Sequence, residues 1–304
     1  MLTCGLVILN YKDATTTAKL LNHIKDFGEF EHIVVVDNCS PDNSFKELKK
    51  FACDKIHVIK SERNGGYSYG NNFGAKYLIK NFNVDLIGIS NPDVVFENDF
   101  VAEIKRLFAE NPDYAVISGK EILPNMPKTN LMRRIKSNLK KRFFKWAEKI
   151  SKRTNSDKTR QDKTRQDKYS ANLITVKGLP GSLYFIRSDD FLAMKMFDEN
   201  VFMYYEEDIL SYKIQRLGKK IGCADNIRFI HEHNYGNENY SNLTRLKLLY
   251  YDHKSSIYFF KNYICENKAV QIFYCTIKNL WFYVYIVPKV LILRPLFKLL
   301  IKIL

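Results

Sequence analysis

The chain has 304 residues, 46% of them hydrophobic, and a formal net charge of +15 at pH 7. This composition excludes an intrinsically disordered chain, and the length allows one main domain with an appendage. The six cysteines include no Cys-x-x-Cys pair and show no disulfide or zinc pattern, which predicts a reduced, cytoplasmic protein.

The positive charge is concentrated in two segments. Residues 126–168 contain 16 Lys and Arg against 4 Asp and Glu, and residues 254–304 contain 8 against 1. The remaining residues carry a net charge of −4, so we expect these two segments to contact an anionic surface, such as a phospholipid leaflet. A nucleic-acid enzyme would concentrate basic residues in its cleft, so we predict no nucleic-acid partner.

Apolar runs alternate with helical patterns over the first 120 residues. This alternation predicts an α/β fold of the Rossmann type, in which a mostly parallel sheet is flanked by helices. The predicted strands of this part are Thr3–Leu9, His32–Val36, Ile56–Ile59, Ile87–Ile89 and Ala115–Ser118.

Polar loops follow the first four predicted strands. They contain Asn10, Asp37, Asn64 and Asn91, and the carboxyl ends of parallel strands meet at one edge of a sheet, where open α/β sheets bind ligands. Asp93, in the fourth loop, is either a ligand of a metal or phosphate at this edge or only the opening of a turn.

Residues 125–170 interrupt the alternation. Apolar side chains recur there at helical spacing among many Lys and Arg, which predicts a basic amphipathic helix suited to a membrane interface. The alternative is that this apolar face packs on the protein's own core. A pentapeptide repeated over residues 157–166 predicts a solvated linker. We therefore expect a domain of residues 1–245 that contains this basic helical insertion.

Three adjacent carboxylates, Glu206, Glu207 and Asp208, open a predicted helix after two further strands, Leu173–Val176 and Leu183–Ile186. Stabilisation by the helix macrodipole explains them in part. They are also candidates for a general base, because burial and mutual repulsion both raise the pKa of a carboxyl group.

A His-x-His pair, His231 and His233, ends the predicted strand that contains Ile227–Ile230. Residues two apart on a strand share one face, so both rings are placed as metal ligands can be. The alternative is that both rings face solvent.

The C-terminal region, residues 246–304, is aromatic and aliphatic with regularly spaced lysines. We expect helices lying in the membrane interface, with Trp281 and Tyr285 at headgroup level and Lys298 and Lys302 on one face. A transmembrane span over Ala269–Pro288 is the alternative.

Five ordered motifs of this sequence resemble those of the family 2 glycosyltransferases, which have the GT-A fold, and in particular the bacterial rhamnosyltransferase-like enzymes. The insertion and the C-terminal region lie outside the resemblance. The motifs are Val7–Tyr11, Val35–Ser40, Asn64–Gly74, Asn91–Asp93 and Phe197–Asp208.

The resemblance implies a nucleotide-diphosphate sugar as donor, either dTDP-rhamnose or a UDP-sugar, and a divalent metal, Mn²⁺ or Mg²⁺. Asp93 takes the metal-ligand position of the family's DxD-like motif, and His231 or His233 would complete the metal shell, since Asn91 replaces the first acid. The residues implied in donor binding are Asn10, Tyr11, Asp37, Asn38, Asn64, Gly65, Gly66, Asn72 and Asn91.

The resemblance further implies an inverting transfer to a lipid-linked or polysaccharide acceptor in the synthesis of a capsule, O-antigen or cell wall. Glu207 aligns with the family's general base, Asp208 is the rival because the register of the triple acid is ambiguous, and Glu206 is the third candidate. The segment Gly178–Ser182 would shape the acceptor side. We expect a cytoplasmic enzyme, peripheral on the inner face of the cell membrane, and leave homo-oligomerisation open.

Two other classes of function are compatible with parts of the pattern. A nucleotidyltransferase on a similar sheet would need a glycine-rich loop after the first strand, and Asn10–Asp13 contains no glycine. A non-catalytic protein could bind nucleic acid through the basic insertion, but the net negative charge of the residues outside the two basic segments argues against this class.

Overall fold

The computed structural model describes residues 2–124, 173–232 and 241–293. The whole predicted insertion with its repeat lies outside the described residues, as do His233, Lys298 and Lys302. The strands are β1 (Cys4–Asn10), β2 (His32–Asp37), β3 (Ile56–Lys60), β4 (Leu86–Ser90), β5 (Val94–Val95), β6 (Tyr114–Ile122), β7 (Leu173–Val176), β8 (Leu183–Arg187) and β9 (Lys220–His231). The helices are α1 (Ala14–Ile24), α2 (Ser44–Lys49), α3 (Gly66–Phe82), α4 (Asn98–Glu110), α5 (Ser188–Ala193), α6 (Glu206–Arg216), α7 (Asn242–Phe259) and α8 (Lys268–Leu280).

These strands form one sheet in the order β3-β2-β1-β4-β8-β6-β9-β5, with β7 also paired to β9. The strands β3, β2, β1 and β4 are parallel. Beyond β4 the sheet is mixed, because β8 runs antiparallel to both β4 and β6, whereas β9 is parallel to β6. The predicted α/β sheet flanked by helices is confirmed.

Both faces of the parallel strands are buried. Leu6 and Ile8 of β1 belong to a core cluster that includes residues of α1 and α4, whereas Val7 belongs to a second cluster with residues of α3 and α6. Successive strand residues point to opposite faces, so a strand covered on both sides needs apolar residues at every position. This explains why the strands are readable as continuous apolar runs.

Helix α3 begins at Gly66, whereas the sequence predicted a polar loop as far as Gly74. The reason is close packing of the helix on the sheet: a Cβ atom at Gly74 would lie 2.6 Å from a methyl of Val7 and 2.8 Å from one of Val36. The glycines of this motif beyond Gly66 therefore allow α3 to approach β1 and β2, and they do not form a flexible loop.

The chain reverses direction across the sheet at β1. It passes outward through β2 and β3 on one side and then returns to β4 on the other side. The carboxyl ends of β1 and β4 therefore border the crevice at which open α/β sheets bind ligands.

The described residues divide into two compact units: residues 2–124, 173–202 and 206–232 in the first, and residues 203–205 and 241–293 in the second. In the second unit, Phe282, Ile286 and Val290 pack against apolar residues of α7, namely Leu246, Leu249 and Tyr250. Helix α8 continues through π-helical turns, and the resulting helix Lys268–Ile292 is long and apolar enough to cross a membrane. Only 11% of its most apolar window is buried.

Candidate functional site

The loops after β1 and β2 are joined by a buried polar network. The Asn10 side-chain amide donates to one carboxylate oxygen of Asp37 at 3.0 Å, and the Ser40 backbone N–H donates to the other at 3.0 Å. The Thr17 hydroxyl donates to the side-chain oxygen of Asn10 at 3.0 Å. Because Asn10 and Asp37 are fully buried, their side chains fix the shape of the loops.

Asn38 extends this network to the loop after β3. Its side-chain amide donates to the Asn64 side-chain oxygen and to the Gly66 carbonyl, both at 3.1 Å, and its oxygen accepts from Ser61. Asn64 also accepts from the Gly66 backbone N–H at 3.1 Å. Three of the four predicted loops are thus brought together at one edge, with polar groups satisfied within the protein.

Tyr11 is the exposed member of this set, with 46% of its surface accessible. Its ring is therefore available to a nucleotide, whereas Asn10, Asp37 and Asn38 act on the loop conformation. Asn72 lies inside α3, and its amide holds a different segment: it accepts from the Phe197 N–H at 3.0 Å and donates to the Glu199 carboxylate at 2.8 Å. In this structure Asn72 therefore holds the segment Phe197–Glu199 against α3, and its role toward a donor stays a prediction.

Asp93 and His231 lie side by side at the end of β4. The two-residue strand β5, which follows Asp93 directly, pairs with the end of β9 and sets Val94 opposite His231. As a result, Oδ1 of Asp93 lies 3.2 Å from Nε2 of His231. The predicted pairing of these two residues is present in the structure.

Glu121, near the end of β6, contacts the other nitrogen of the same ring. Its Oε1 lies 2.8 Å from His231 Nδ1 and accepts a hydrogen bond from the Ser182 hydroxyl at 2.6 Å. Burial by itself would lower the pKa of His231, but the carboxylates of Asp93 and Glu121 raise it to about 9. Burial acts to raise the pKa of Glu121, and the contacts with His231 and Ser182 outweigh this and lower it.

These donor atoms fit a divalent cation. Two neighbouring ligands of an octahedral ion, each at about 2.1 Å, are separated by about 3 Å, close to the observed Asp93–His231 distance. In such sites a carboxylate commonly accepts a hydrogen bond from the other nitrogen of the ligating imidazole and fixes the orientation of the ring, and Glu121 is placed to do so here. Within the described ranges no group of three His, Cys, Asp or Glu is placed to hold a metal ion together, so the protein would supply two ligands, and phosphate oxygens and water the others.

The segment Gly178–Ser182 connects this cluster to the start of α6. The Ser182 carbonyl accepts from the Asn91 N–H at 2.8 Å, which ties the segment to the end of β4. The adjacent Gly181 contacts the Glu207 carboxylate so closely that a Cβ atom at this position would collide with it. The Gly181 carbonyl accepts from the Tyr67 hydroxyl at 2.7 Å. Glu207 and Glu121, the carboxylate that contacts His231, therefore both contact one short segment.

The three carboxylates of α6 occupy different environments: Glu206 is buried, Glu207 is partly buried and Asp208 is exposed. Burial raises the pKa of Glu207, the nearby Asp208 raises it further, and the hydrogen bond from the Gly181 backbone opposes this rise. A carboxyl group whose pKa is raised above its usual value is better suited to act as a general base. The two residues before α6, Tyr204 and Tyr205, both have φ near 70°, a strained conformation for bulky side chains that is concentrated at functional sites.

Sequence reasoning missed Glu121. The predicted strand ended at Ser118, whereas β6 continues to Ile122. Glu121 is a polar residue at the carboxyl end of a strand parallel to β4, which is the pattern that identified the other loops. Had the predicted strand been four residues longer, as β6 is, it would have included Glu121.

A model of the family described as Glycosyl transferase family 2 matches residues 6–172 of this chain. A curated relative, the low-salt glycan biosynthesis hexosyltransferase Agl10 of Haloferax volcanii, is 27% identical over 236 residues. The alignment covers 75% of this chain and 66% of the relative, so the chain spans just under two thirds of that protein's length.

Solved structures show the same architecture at low identity. GalNAc-T7 with UDP, GalNAc and Mn²⁺ gives a TM-score of 0.56 at 14% identity, covering 95% of this chain and 57% of that one. The mannosyltransferase PcManGT from Pyrobaculum calidifontis, in complex with GDP-Man and Mn²⁺, gives 0.55 at 12% identity, with coverages of 93% and 70%. S. aureus TarS 1-349 gives 0.54 at 13% identity, with coverages of 92% and 80%. These similarities concern the fold.

Proposed function

Because the chain belongs to glycosyl transferase family 2 and has the GT-A fold, we propose that it is an inverting hexosyltransferase. Its donor is a nucleotide-diphosphate sugar, and its acceptor is a lipid-linked or polysaccharide glycan of the cell surface. The similarity to a glycan biosynthesis hexosyltransferase supports this class of reaction. Within the class, we propose dTDP-rhamnose or a UDP-sugar as donor and a capsule, O-antigen or cell-wall glycan as product.

The observation that carries the proposal is the convergence at the segment Gly178–Ser182. On one side, Ser182 contacts Glu121 and, through it, the Asp93–His231 pair. On the other side, Gly181 contacts Glu207. An arrangement of a metal-ligand pair and a carboxylate with a raised pKa across one short segment is what sugar transfer from a diphosphate requires.

Asp93 and His231 would hold a divalent ion, Mn²⁺ or Mg²⁺, and such an ion neutralises charge that develops on a diphosphate leaving group. The networked loops that contain Asn10, Asp37, Asn38, Asn64, Gly65 and Gly66 would form the walls of the nucleotide site, and Tyr11 would offer its exposed ring. Asn91 would line the same edge, since its backbone is fixed by Ser182.

Glu207 would act as the general base. In a single displacement, the acceptor hydroxyl attacks the anomeric carbon while a carboxylate takes its proton, and the sugar's configuration inverts. Burial against Gly181 favours Glu207 over the exposed Asp208, because it raises the pKa of the carboxyl group toward the working pH and excludes competing water.

We also propose that the second unit rests on the anionic inner face of the cell membrane. On the long helix, Ile272, Phe273, Leu280 and Val284 are all more than half exposed. Lys278 lies over the Trp281 ring at 5.8 Å and Lys289 over the Tyr285 ring at 5.1 Å, which places basic groups beside aromatic ones, as at a headgroup layer.

An orientation in the plane of the membrane agrees better with the packing than a span does. The opposite face of the helix packs on α7, which carries Arg245, Lys247, Asp252 and Lys254. A spanning helix would draw these charges toward the hydrocarbon, at a cost of about 2.5 to 3.5 kcal/mol for each charge at the centre. An interfacial helix leaves them in water.

The test of the proposed function is transfer by the purified protein from a panel of nucleotide sugars, with Mn²⁺ or Mg²⁺ and a lipid-linked acceptor. The donor is first identified by its stabilisation of the fold against heat. We expect Glu207→Gln to retain that stabilisation and to lower kcat by about 10² to 10⁴, the usual contribution of a general base.

Asp208→Asn is the matched control, because it makes the same chemical change at the neighbouring, exposed carboxylate. We expect its kcat to stay within about threefold of wild type, since it does not contact Gly181. A normal kcat in Glu207→Gln together with a large loss in Asp208→Asn would reassign the base to Asp208. If no nucleotide sugar of the panel binds to the protein or is turned over by it, the proposed transferase activity is refuted.

A further inference from the structure

We propose that Glu121 is a positioning residue of the active site: its carboxylate sets the orientation of the His231 ring and joins it to the segment Gly178–Ser182. The inference rests on the proposed function, because it assigns Glu121 a role toward the cation that Asp93 and His231 would hold. Glu121 itself contacts neither the donor nor the reacting atoms.

Strand register brings Glu121 to His231. In the parallel pairing of β6 with β9, Glu121 lies opposite Phe229, and His231 is two residues further along β9, on the same face as Phe229. The carboxylate therefore reaches Nδ1 of the ring at 2.8 Å, while Nε2 lies 3.2 Å from Asp93. With Nδ1 fixed as a donor to Glu121, Nε2 is the nitrogen left to bind a cation.

One oxygen of Glu121 makes both contacts. Oε1 receives the Ser182 hydroxyl at 2.6 Å and lies against the His231 ring nitrogen. Ser182 is 3% exposed and its carbonyl accepts from the Asn91 N–H, so the segment cannot shift without moving Glu121. The carboxylate thus transmits a displacement on the acceptor side to the ring that faces Asp93.

Burial indicates that the carboxylate has a specific role. The Glu121 side chain is 13% exposed and the His231 side chain 8% exposed. Withdrawing a carboxylate from water is unfavourable unless paired groups compensate for it, and two apolar residues of the same size would generally be as stable here. Holding a ligating ring in one orientation is a role that apolar residues could not perform.

The experiment measures binding of Mn²⁺ together with UDP, followed by the electron paramagnetic resonance signal of free Mn²⁺, without sugar transfer. For Glu121→Gln, we expect the Mn²⁺ Kd to rise by about 10- to 100-fold, the usual effect of removing a carboxylate behind a ligating histidine. The amide keeps the size of the side chain and one acceptor oxygen but lacks the negative charge. Glu121→Asp keeps the charge but not the reach, and we expect a rise of the same order.

A matched control separates positioning from support of the fold. Glu103→Gln makes the same chemical change at a carboxylate that binds Arg106 on α4, and it should leave the Mn²⁺ Kd unchanged. A structural role would lower Tm in the Glu121 variants without changing the Mn²⁺ Kd.

A Mn²⁺ Kd within twofold of wild type in folded Glu121→Gln and Glu121→Asp would overturn the inference and leave the proposed function standing. Absence of Mn²⁺ binding by the wild-type protein would overturn the metal site of the proposed function, and the role of Glu121 with it. The two failures are therefore distinguishable in one titration.

Discussion

For Glu207, the proposed general base, the requirements of catalysis and of stability oppose each other. Burial raises its pKa, so the folded protein holds the proton more tightly than the unfolded chain, in which a glutamate titrates near pH 4.3. Between this value and the raised pKa, the folded state binds more protons, and the free energy of unfolding therefore falls as the pH rises. The ionised form needed to accept a proton is thus the form that destabilises the fold.

We expect Glu207→Gln to raise Tm at pH 7 to 8 although it lowers kcat, because it removes this unfavourable charge. Each 1 kcal/mol gained would raise Tm by about 2 to 4 °C in a domain of this size. Thermal unfolding measured from pH 4 to pH 8 checks this, since the gain should disappear toward pH 4, where wild-type Glu207 is protonated in both states.

The reference variant for this measurement is Glu103→Gln, for which we expect the opposite sign. Hydrogen bonds from Arg106 lower the pKa of Glu103, so its ionised form stabilises the fold above the unfolded pKa, and this stabilisation is lost as the pH falls through the lowered value. Glu103→Gln should therefore lower Tm at neutral pH. A rise of Tm in both variants would indicate a general effect of removing negative charge.

Gly181 controls the position of the base, because a Cβ atom there would collide with Oε1 of Glu207. We expect Gly181→Ala to lower kcat by at least about tenfold through displacement of the carboxylate, with donor binding retained. Gly28→Ala is the matched control, since a Cβ atom at Gly28 meets nothing within 4 Å. Equal kcat values for the two variants and wild type would show that Glu207 tolerates the displacement.

At the scale of elements, the long helix Lys268–Ile292 carries the prediction about the membrane. Burying one such apolar side chain contributes about 1.5 to 3 kcal/mol when complete. We therefore expect the double variant Phe273→Ser and Val284→Ser to weaken binding to anionic liposomes by about tenfold or more, measured by flotation. The control is Leu192→Ser with Leu243→Ser, which removes two exposed leucines outside this helix.

The same measurement distinguishes a helix in the interface from a span. Protein bound through an interfacial helix should be released from liposomes by washing at high pH, whereas a spanning helix should remain. Retention after the wash would establish a span and overturn the proposed orientation. Unchanged flotation of the double variant would remove this helix from the membrane contact altogether.

The elements differ in how well their sequences determine them. Strands β1, β2 and β4 are buried on both faces, so burial alone accounts for their apolar runs, and their predicted positions are confirmed. Helix α3 was predicted to start too late, because its glycines and asparagines signal a loop locally and only their packing on the sheet favours a helix. Strand β6 was predicted to end too early because its last residues are mostly polar. One of them, Glu121, contacts Ser182 and His231.

At the scale of the whole molecule, the sequence predicted the edge of the sheet at which the candidate site lies. It did not predict which side chains there bond to one another. Asn10 and Asp37 are expected to lie at the nucleotide site, and the structure adds that they are hydrogen-bonded to each other. Such bonds depend on distances between loops that are far apart in the chain. The sequence analysis placed His231 or His233 beside Asp93, because the resemblance implies a metal site. Glu121 belongs to no motif, and only the register of β6 with β9 shows that it lies beside His231.

The network of Asn10, Asp37, Asn38 and Ser61 has a thermodynamic consequence for the proposed donor site. Its hydrogen bonds are complete before any nucleotide arrives, so these loops have no further order to gain on binding. A preorganised site avoids the entropy cost of immobilising flexible segments, and affinity then depends on the few groups that remain exposed, such as Tyr11. If the donor binds there as proposed, we expect its selectivity to depend on a small set of exposed residues, which could be substituted while the buried network stays the same.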